Sequence, residues 1–313
     1  MGLDDLEVDS HSLRVVLAIA ELGSITAAAT RLGYSQPALS QHLRRLESRI
    51  GMPVVERAGR SVRLTDAGQV LARHASVVTN ALDAAAGEIA ELQGLRSGRV
   101  RVAAFPSASA TIVPRLLAGM TIRHPGVQLS YLEAEPPEAI AAVRENRADI
   151  ALTFSYPGDR NDPHTESARG LAVRAIGREP VLVVLPAGHP QASSTAVDMA
   201  ALGNESWIAG CPRCRGHLVE VCDVGGYAPR IGYETDNFIA VLNMVSAGLG
   251  AAMLPRLAIA SARVPADVVA LPTTHEDHRT VHVVTADGAE RIPAVRATLG
   301  VLSGLDRLMG DAA

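Results

Sequence analysis

Lysine is absent from this sequence: all 29 basic residues are arginine. Beside the abundance of alanine and glycine, this reflects a GC-rich genome and no functional device. Cysteine is scarce as well. Cys211, Cys214 and Cys222 are the only three and lie within twelve residues of one another. An odd, clustered set excludes a structural disulfide framework. No window approaches the roughly 18 consecutive apolar residues of a bilayer span. Residues 1–10 carry four acidic side chains and no apolar core, so neither secretion nor membrane insertion is expected, and a cytoplasmic location is. The signatures of catalysis are missing too: there is no G-x-S-x-G elbow, no H-E-x-x-H, no P-loop, and no G-x-G-x-x-G after a strand. Gly248-Leu249-Gly250 follows a helical stretch and lacks the third glycine. An enzyme is therefore the least favoured class, and no cofactor or metal is expected.

What is present is a chain of 313 residues, 48% hydrophobic and 20% charged, which is ordinary globular composition. At roughly 100 to 200 residues per domain, two or three compact units are expected. The net charge of −4 is unevenly spread. Between Arg31 and Arg63 there are seven arginines against two acids, a local balance of +5, which makes a basic patch on an acidic protein.

That patch has internal structure. Apolar residues recur at helical spacing from Leu13 to Leu22, and Gly23-Ser24 reads as a stop followed by a new N-cap. A short Ala-rich helix runs to Leu32 and closes at Gly33. Ser35-Gln36-Pro37 then opens a third helix, with serine as cap and proline in the first turn, where its missing N–H costs nothing. On that helix Leu39, Leu43, Leu46 and Ile50 share an inward face. Gln36, Ser40 and Arg44, at i, i+4 and i+8, stand on another face with Pro37, Gln41 and Ser48. The segment from Val54 to Leu64 holds two β-prone pieces around Ala58-Gly59, a small basic hairpin. From Thr65 a long helix follows in which Leu71, Ala75, Val78, Leu82, Ala85, Ile89 and Leu92 keep a 4-3-4-3-4-3 spacing. Three such heptads predict a seam buried against another helix. No second heptad-bearing helix occurs in the chain, which favours a partner subunit over packing within one chain.

Two helices across a tight turn, the second carrying short polar side chains and arginine, present a recognition helix to the major groove. Gln36 pairs bidentately with adenine, Arg44 reaches guanine or phosphate, and Ser35 or Ser40 contacts phosphate or a base edge. Arg57, Arg60 and Arg63 on the hairpin add phosphate contacts or enter the minor groove. The plain alternative is a solvated polar face.

After a linker at Gly94 to Gly98, strand-like and helical runs alternate. Strands are expected at Val100 to Phe105, Val127 to Leu132, Ile150 to Phe154, Val181 to Leu185, Trp207 to Ala209, Ile231 to Tyr233, Ala251 to Leu254 and His282 to Thr285. Helices are expected at Ala110 to Met120, Pro137 to Arg147, Gly216 to Gly225, Phe238 to Ala247 and Ile292 to Met309. Such alternation predicts βαβ units on a largely parallel sheet, arranged as two lobes with a cleft between them. The domains so defined are 8–67, a winged helix-turn-helix; 68–96, a linker and dimerisation helix; and 97–313, a two-lobed α/β unit. In the last, lobe I is about 97–160 with 270–313, and lobe II about 161–269.

The run from Ile25 to Glu47, then Glu56-Arg57 and Leu64-Thr65-Asp66-Ala67-Gly68, resembles the N-terminal domain of LysR-type transcriptional regulators. The resemblance extends through Asp149-Ile150-Ala151-Leu152, Leu185 to Pro190, Glu234 to Phe238, Val245 to Gly250 and Leu254-Pro255, most of the chain in all. It implies a DNA-binding regulator with a winged helix-turn-helix, a dimerising linker helix and an effector domain like a periplasmic binding protein. Such regulators assemble as homodimers or homotetramers and bend promoter DNA. Carried over by position, the contacting residues are Gln36, Pro37, Ser40 and Arg60. Where many members have Arg or Lys after the recognition-helix serine, this chain has Gln41. That removes a charge, which Arg44 or Arg45 can replace.

A ligand in a two-lobed α/β domain sits near strand C-termini and helix N-termini. Ser107 and Ser109, after the first strand, are candidates to cradle a carboxylate, with ordinary N-capping as the plain reading. Thr153, Phe154, Asp236 and Phe238 are further candidates. Cys211-Pro212-Arg213-Cys214 precedes a helix reaching Cys222, and a thiol at a helix N-terminus beside Arg213 and Arg215 is activated. Peroxide-sensing members of the resembled family carry a reactive cysteine pair in about this region. The readings open for the three cysteines are pocket lining or core, a redox switch, and a zinc site completed by His217 whose spacing matches no common finger. His124, His164 and His189 stand next to proline or in polar loops, where a solvated or locally bonded role is the default. The leading reading is thus an effector-responsive DNA-binding regulator, ahead of a thiol-responsive one and of a solute-binding protein that leaves promoters alone.

Overall fold

The computed structural model describes residues 8–58, 61–92, 98–158 and 164–305. Helix α1 (Ser10–Leu22) is capped by Asp9, whose carboxylate accepts from Ser12 N at 2.6 Å. Gly23 then takes φ +58, a left-handed turn that the absence of a Cβ permits. Ser24 caps α2 (Ile25–Leu32), and Ser35 caps α3 (Gln36–Ile50). Val15, Val16 and Ile19 of α1, Ala28 and Ala29 of α2, and Leu39, Leu43, Leu46 and Ile50 of α3 meet in one core. The leucine face read from the sequence is the buried one.

Strands β1 (Val55–Ala58) and β2 (Ser61–Leu64) pair antiparallel. The hairpin is moored at both ends. Val62 N donates to Gly23 O at 2.9 Å, and Glu47 of α3 accepts from Val54 N at 2.9 Å. Helix α4 (Asp66–Leu92) follows. Its Leu71, Ala72 and Ala75 pack on Leu13 and Leu17 of α1. Farther along, Ala84 is buried, and Gly87 lies so close to Pro293 that a Cβ would stand 2.7 Å from its ring. Heptad residues Val78, Leu82 and Ile89 are exposed. Of the expected linker, Gly94 to Gly98, residues 94–97 lie outside the described ones, and Gly98 already opens a strand.

The remainder builds one curled sheet. In chain order it contains β3 (Gly98–Ala104), α5 (Pro106–Arg123), β4 (Val127–Glu133), α6 (Pro136–Arg144), β5 (Ile150–Ser155), α7 (His164–Ser167), β6 (Ala172–Pro186), β7 (Ser206–Ala209), α8 (Pro212–Val224), β8 (Arg230–Glu234), α9 (Phe238–Ser246), β9 (Ala251–Pro255), α10 (Arg256–Ser261), β10 (Val268–Pro272), β11 (His278–Thr285) and α11 (Pro293–Ser303). The strand order is β4-β3-β5-β11-β6-β9-β7-β8, with β10 also on β6.

This corrects the largely parallel sheet. Two parallel trios, β4-β3-β5 and β9-β7-β8, are joined by β6 and β11, which run antiparallel to their neighbours. Strand β6 serves both lobes. Residues 172–180 pair with β11, and residues 181–186 pair with β9 and β10. Only Val181 to Leu185 had been expected as strand, because Arg174, Gly177, Arg178, Glu179 and Pro180 hide an extended segment from apolar periodicity. β10 was not expected. The last helix is Pro293–Ser303 and ends in a turn at Gly304, short of the expected Met309; residues from 306 on lie outside the described ones. Among the described residues no helix is long and apolar enough to cross a membrane.

Candidate functional site

Two sites emerge, one on α3 and β1-β2, the other between the lobes. On α3, Gln36, Pro37, Gln41 and Arg44 are exposed and Ser40 half-buried. The Gln36 amide donates to Ser40 Oγ at 2.9 Å, one turn on, which holds it along the helix face before anything binds. Ser35 points its hydroxyl back at Ala38 N (3.3 Å) as the cap. Its backbone stays at the helix entrance, where phosphates dock. On the hairpin, Arg57 and Arg63 are exposed. Arg63 is tied to Glu56 across the strands at 2.6 Å, whereas Arg57 points from the other face. Arg60 lies outside the described residues.

The second site is a cavity of about 50 Å³ where α5, α8 and α9 begin, lined by Pro106, Ser107, Cys211, Asp236 and Phe238 among others. Of the expected effector residues, Ser107, Phe154, Cys211, Asp236 and Phe238 line it; Thr153 and Ser109 do not. Helix α5 starts at Pro106, four residues earlier than expected, so both serines sit in its first turn. Ser109 Oγ turns back to donate to Phe105 O at 2.9 Å. Thr153 alternates with Phe154 along β5 and so faces away. It bonds His164 Nε2 at 2.7 Å beneath a stacked His164–His282 pair with centroids 4.4 Å apart. His164 is therefore a buried core histidine, not a loop one. Burial, with His282 and Arg213 adding to it, lowers its pKa to about 4.

At the back of the cavity stands Arg279, buried, an inward-facing residue of β11 that the sequence reading missed. It donates to Glu179 of β6 through Nε at 2.7 Å and to Ser107 Oγ through Nη2 at 2.6 Å. Its guanidinium lies 4.7 Å over the Phe105 ring and 4.4 Å over Phe154. Burial works most strongly against the charge, but the adjacent Glu179 carboxylate, with Tyr156 and Cys214 adding to it, outweighs burial and raises the arginine's pKa above its ordinary value. The other Glu179 oxygen accepts from Leu257 N at 2.7 Å. A signal for Arg279 existed: it falls in phase with the inward Val281 and Val283, where a charge is foreign. Glu135, the N-cap residue of α6, also lines the cavity. Burial, reinforced by Asp236, pushes its pKa up to about 7.

Cys211 and Cys214 are in contact, sulfur to sulfur 2.9 Å, with Cys211 as N-cap of α8. The proton is shared unequally. The hydrogen bond from Cys211 lowers the pKa of Cys214, helped by Arg279 and by the Tyr156 hydroxyl, which donates to Cys214 Sγ at 3.5 Å. The same bond, together with burial, raises that of Cys211. Cys222 lies eight residues on from Cys214, about 12 Å along the helix, buried with Trp207 and Leu218. It cannot pair with either without unwinding α8. His217 stacks on Tyr156, away from the thiols, at 4.0 Å. Among the described residues no three His, Cys, Asp or Glu converge as a metal site.

Comparison with known proteins bears on both sites. The model for the bacterial regulatory helix-turn-helix protein, lysR family, matches residues 10–69, and that for the LysR substrate binding domain matches residues 93–305. The probable hydrogen peroxide-inducible genes activator of Mycobacterium avium is 32% identical over 251 residues, 79% of this chain and 78% of that protein. The probable HTH-type transcriptional regulator LrrA of Synechococcus elongatus is 29% identical over 292 residues, 93% of this chain and 95% of that protein. Among solved structures, a substituted full-length OxyR from Pseudomonas aeruginosa shares the fold with a TM-score of 0.75 at 23% identity, covering 97% of this chain and 96% of that one.

Proposed function

This chain belongs to the LysR family of transcriptional regulators, and from that premise we propose how its parts divide the work. It is a DNA-binding regulator that acts as a homo-oligomer on promoter DNA and carries an effector-binding domain. Residues 8–67 hold DNA, 68–96 link and dimerise, and 97–313 sense the effector; the strand pairing favours lobes that exchange chain at Pro180-Val181, not near residue 160 as expected, and again in the loop after β10, near the expected residue 270. Its place of work is the cytoplasm and its activity is regulatory, not catalytic.

The observation that carries the DNA reading is the exposed polar face of α3, backed by a leucine face wholly committed to the core. Gln36 reads a base, Arg44 a base or phosphate, and Arg57 a phosphate. Gln36→Ala is expected to cost about 1–3 kcal/mol of operator affinity, concentrated at one A·T position. Arg57→Ala is expected to weaken all sequences alike and to flatten the salt dependence by about one ion. Gel-shift titrations across salt separate the two. Undiminished promoter binding by the Gln36 variant would instead favour a solute-binding protein.

In the cleft the effector is a small polar or acidic molecule. A water takes about 10–15 Å³ of such a cavity, so it holds only a few non-hydrogen atoms unless the lobes part. Three helix N-termini and Arg279 favour negative charge there. One contact favours a thiol-responsive mode: the 2.9 Å approach of Cys211 and Cys214. With a peroxide as oxidant, the Cys214 thiolate attacks oxygen, the O–O bond breaks, and a sulfenic acid forms as hydroxide leaves and takes the Cys211 proton. The Cys211 sulfur then displaces hydroxide from Cys214. Thiolate, thiol and hydrogen peroxide thus give disulfide, one water and one hydroxide. Peroxide treatment is expected to remove two hydrogen masses and change operator affinity in the parent and in Cys222→Ser, but not in Cys214→Ser. Unchanged affinity in every sample rejects the thiol mode and leaves the ligand mode standing.

A further inference from the structure

A second cavity lies on the far side of Tyr156 from the dithiol. It has a volume of about 340 Å³ and is walled by α8, by the segment at Pro157-Gly158 and by the loop between β10 and β11. Among the described residues its carboxylates dominate the lining: Glu220 and Asp223 from α8 face Glu276 and Asp277 from the loop, with His275 and His278 beside them on the wall. At the inner end stands His217, whose side chain is 6% exposed. Among the described residues neither of its ring nitrogens has a hydrogen-bond partner. The nearest carboxylate oxygen, Asp277 Oδ1, is 3.6 Å from Nε2, beyond hydrogen-bonding reach, and the other Asp277 oxygen is occupied by Thr273 Oγ1 at 2.6 Å. A buried imidazole with both nitrogens idle is costly unless something enters to meet them. Burial, against the pull of Asp277, lowers its pKa to about 4, so it stands there neutral, with one acceptor and one donor nitrogen.

We propose that this cavity is a binding site for a small organic cation, an alkyl diamine or short polyamine, with its ammonium groups on the carboxylates of α8 and the loop and its inner end on His217. A bare metal ion suits the lining less well. Among the described residues no three His, Cys, Asp or Glu side chains converge on one point, and acceptors spread around a ligand-sized volume match charges separated along a chain. Occupancy also bears on the cleft, since the His217 ring is stacked on Tyr156, whose hydroxyl donates to Cys214.

The test is calorimetric titration of the full-length protein with 1,4-diaminobutane at low salt, with 1-aminobutane and zinc chloride as parallel arms. Saturable binding of the diamine, tighter than the monoamine, is expected. Glu220 is half-buried and Asp223 exposed on α8, so a Glu220→Gln/Asp223→Asn variant keeps the fold. It is expected to weaken the diamine by about tenfold, from two partly screened pairs of somewhat under 1 kcal/mol each. His217→Phe, which keeps the stack on Tyr156 and removes both nitrogens, is expected to weaken it as well. No diamine heat in the parent protein, an affinity unchanged in the double variant, or tight zinc binding with no diamine binding would each overturn the proposal.

Discussion

Glu179→Gln is expected to destabilise the protein by about 3–5 kcal/mol, because it leaves the Arg279 charge buried without its counter-ion. The side chains of the pair are 3% and 0% exposed, so solvent cannot replace the lost carboxylate. The effector domain spans roughly 200 residues, for which 1 kcal/mol moves the melting midpoint by about 2–4 °C. A loss of about 6–20 °C by calorimetry is therefore the expected reading. Three ties fail together: the guanidinium loses its anion, Leu257 N its charged acceptor, and Ser107 the arginine held against it. Replacing both partners with apolar residues, as in Glu179→Leu with Arg279→Met, is expected to recover much of the stability, since a buried ion pair rarely outperforms well-packed apolar side chains. The double variant should nonetheless lose its response to effector. It keeps the cavity walls but not the cation between Phe105 and Phe154. A single variant that melts with the parent would show that water reaches the pair.

The pair also marks where the sequence becomes hard to read. Its two members are separated by 100 residues and meet only because β6 and β11 run antiparallel between the lobes. Local periodicity carries no information on that register. Where structure depends on neighbours in the chain, the sequence was legible. The leucines of α3 face the core, glycines close the first three helices, and the heptads continue through α4 as one helix. Five expected cavity residues follow directly from strand-to-helix junctions. The exceptions have local causes. Ser109 was misplaced because α5 begins at Pro106, and Thr153 because one step along a strand reverses the face. Cys211-x-x-Cys214 left its pairing open, since spacing alone does not say whether a helix begins between the thiols. His217 showed only as a candidate fourth zinc ligand, because an idle buried imidazole is recognisable only from what fails to surround it.

The second large effect is expected on α4. Val78, Leu82 and Ile89 are 38%, 41% and 57% exposed, although their heptad spacing is that of a buried seam. The first turns of that same seam, Leu71 and Ala75, are covered within the chain by α1 instead of by a partner, and the side opposite Val78, Leu82 and Ile89 is turned inward at Ala84 and at Gly87, which meets Pro293. What remains uncovered is the face for another copy. A Leu82→Glu/Ile89→Glu variant places two carboxylates in that seam without touching the intrachain core, so its melting behaviour as a folded unit should change little while its assembly fails. In sedimentation the variant is expected to fall from the oligomer to the monomer. Its operator affinity should fall by about 10²–10⁴, because two recognition helices no longer bind as a linked pair. Gly87→Val provides the converse control. Its Cβ would meet Pro293, so it is expected to disturb the intrachain packing of α4 and leave the seam residues intact. A Leu82→Glu/Ile89→Glu protein that sediments with the parent and binds the operator equally well would place the subunit interface elsewhere and leave the exposed heptad without a role.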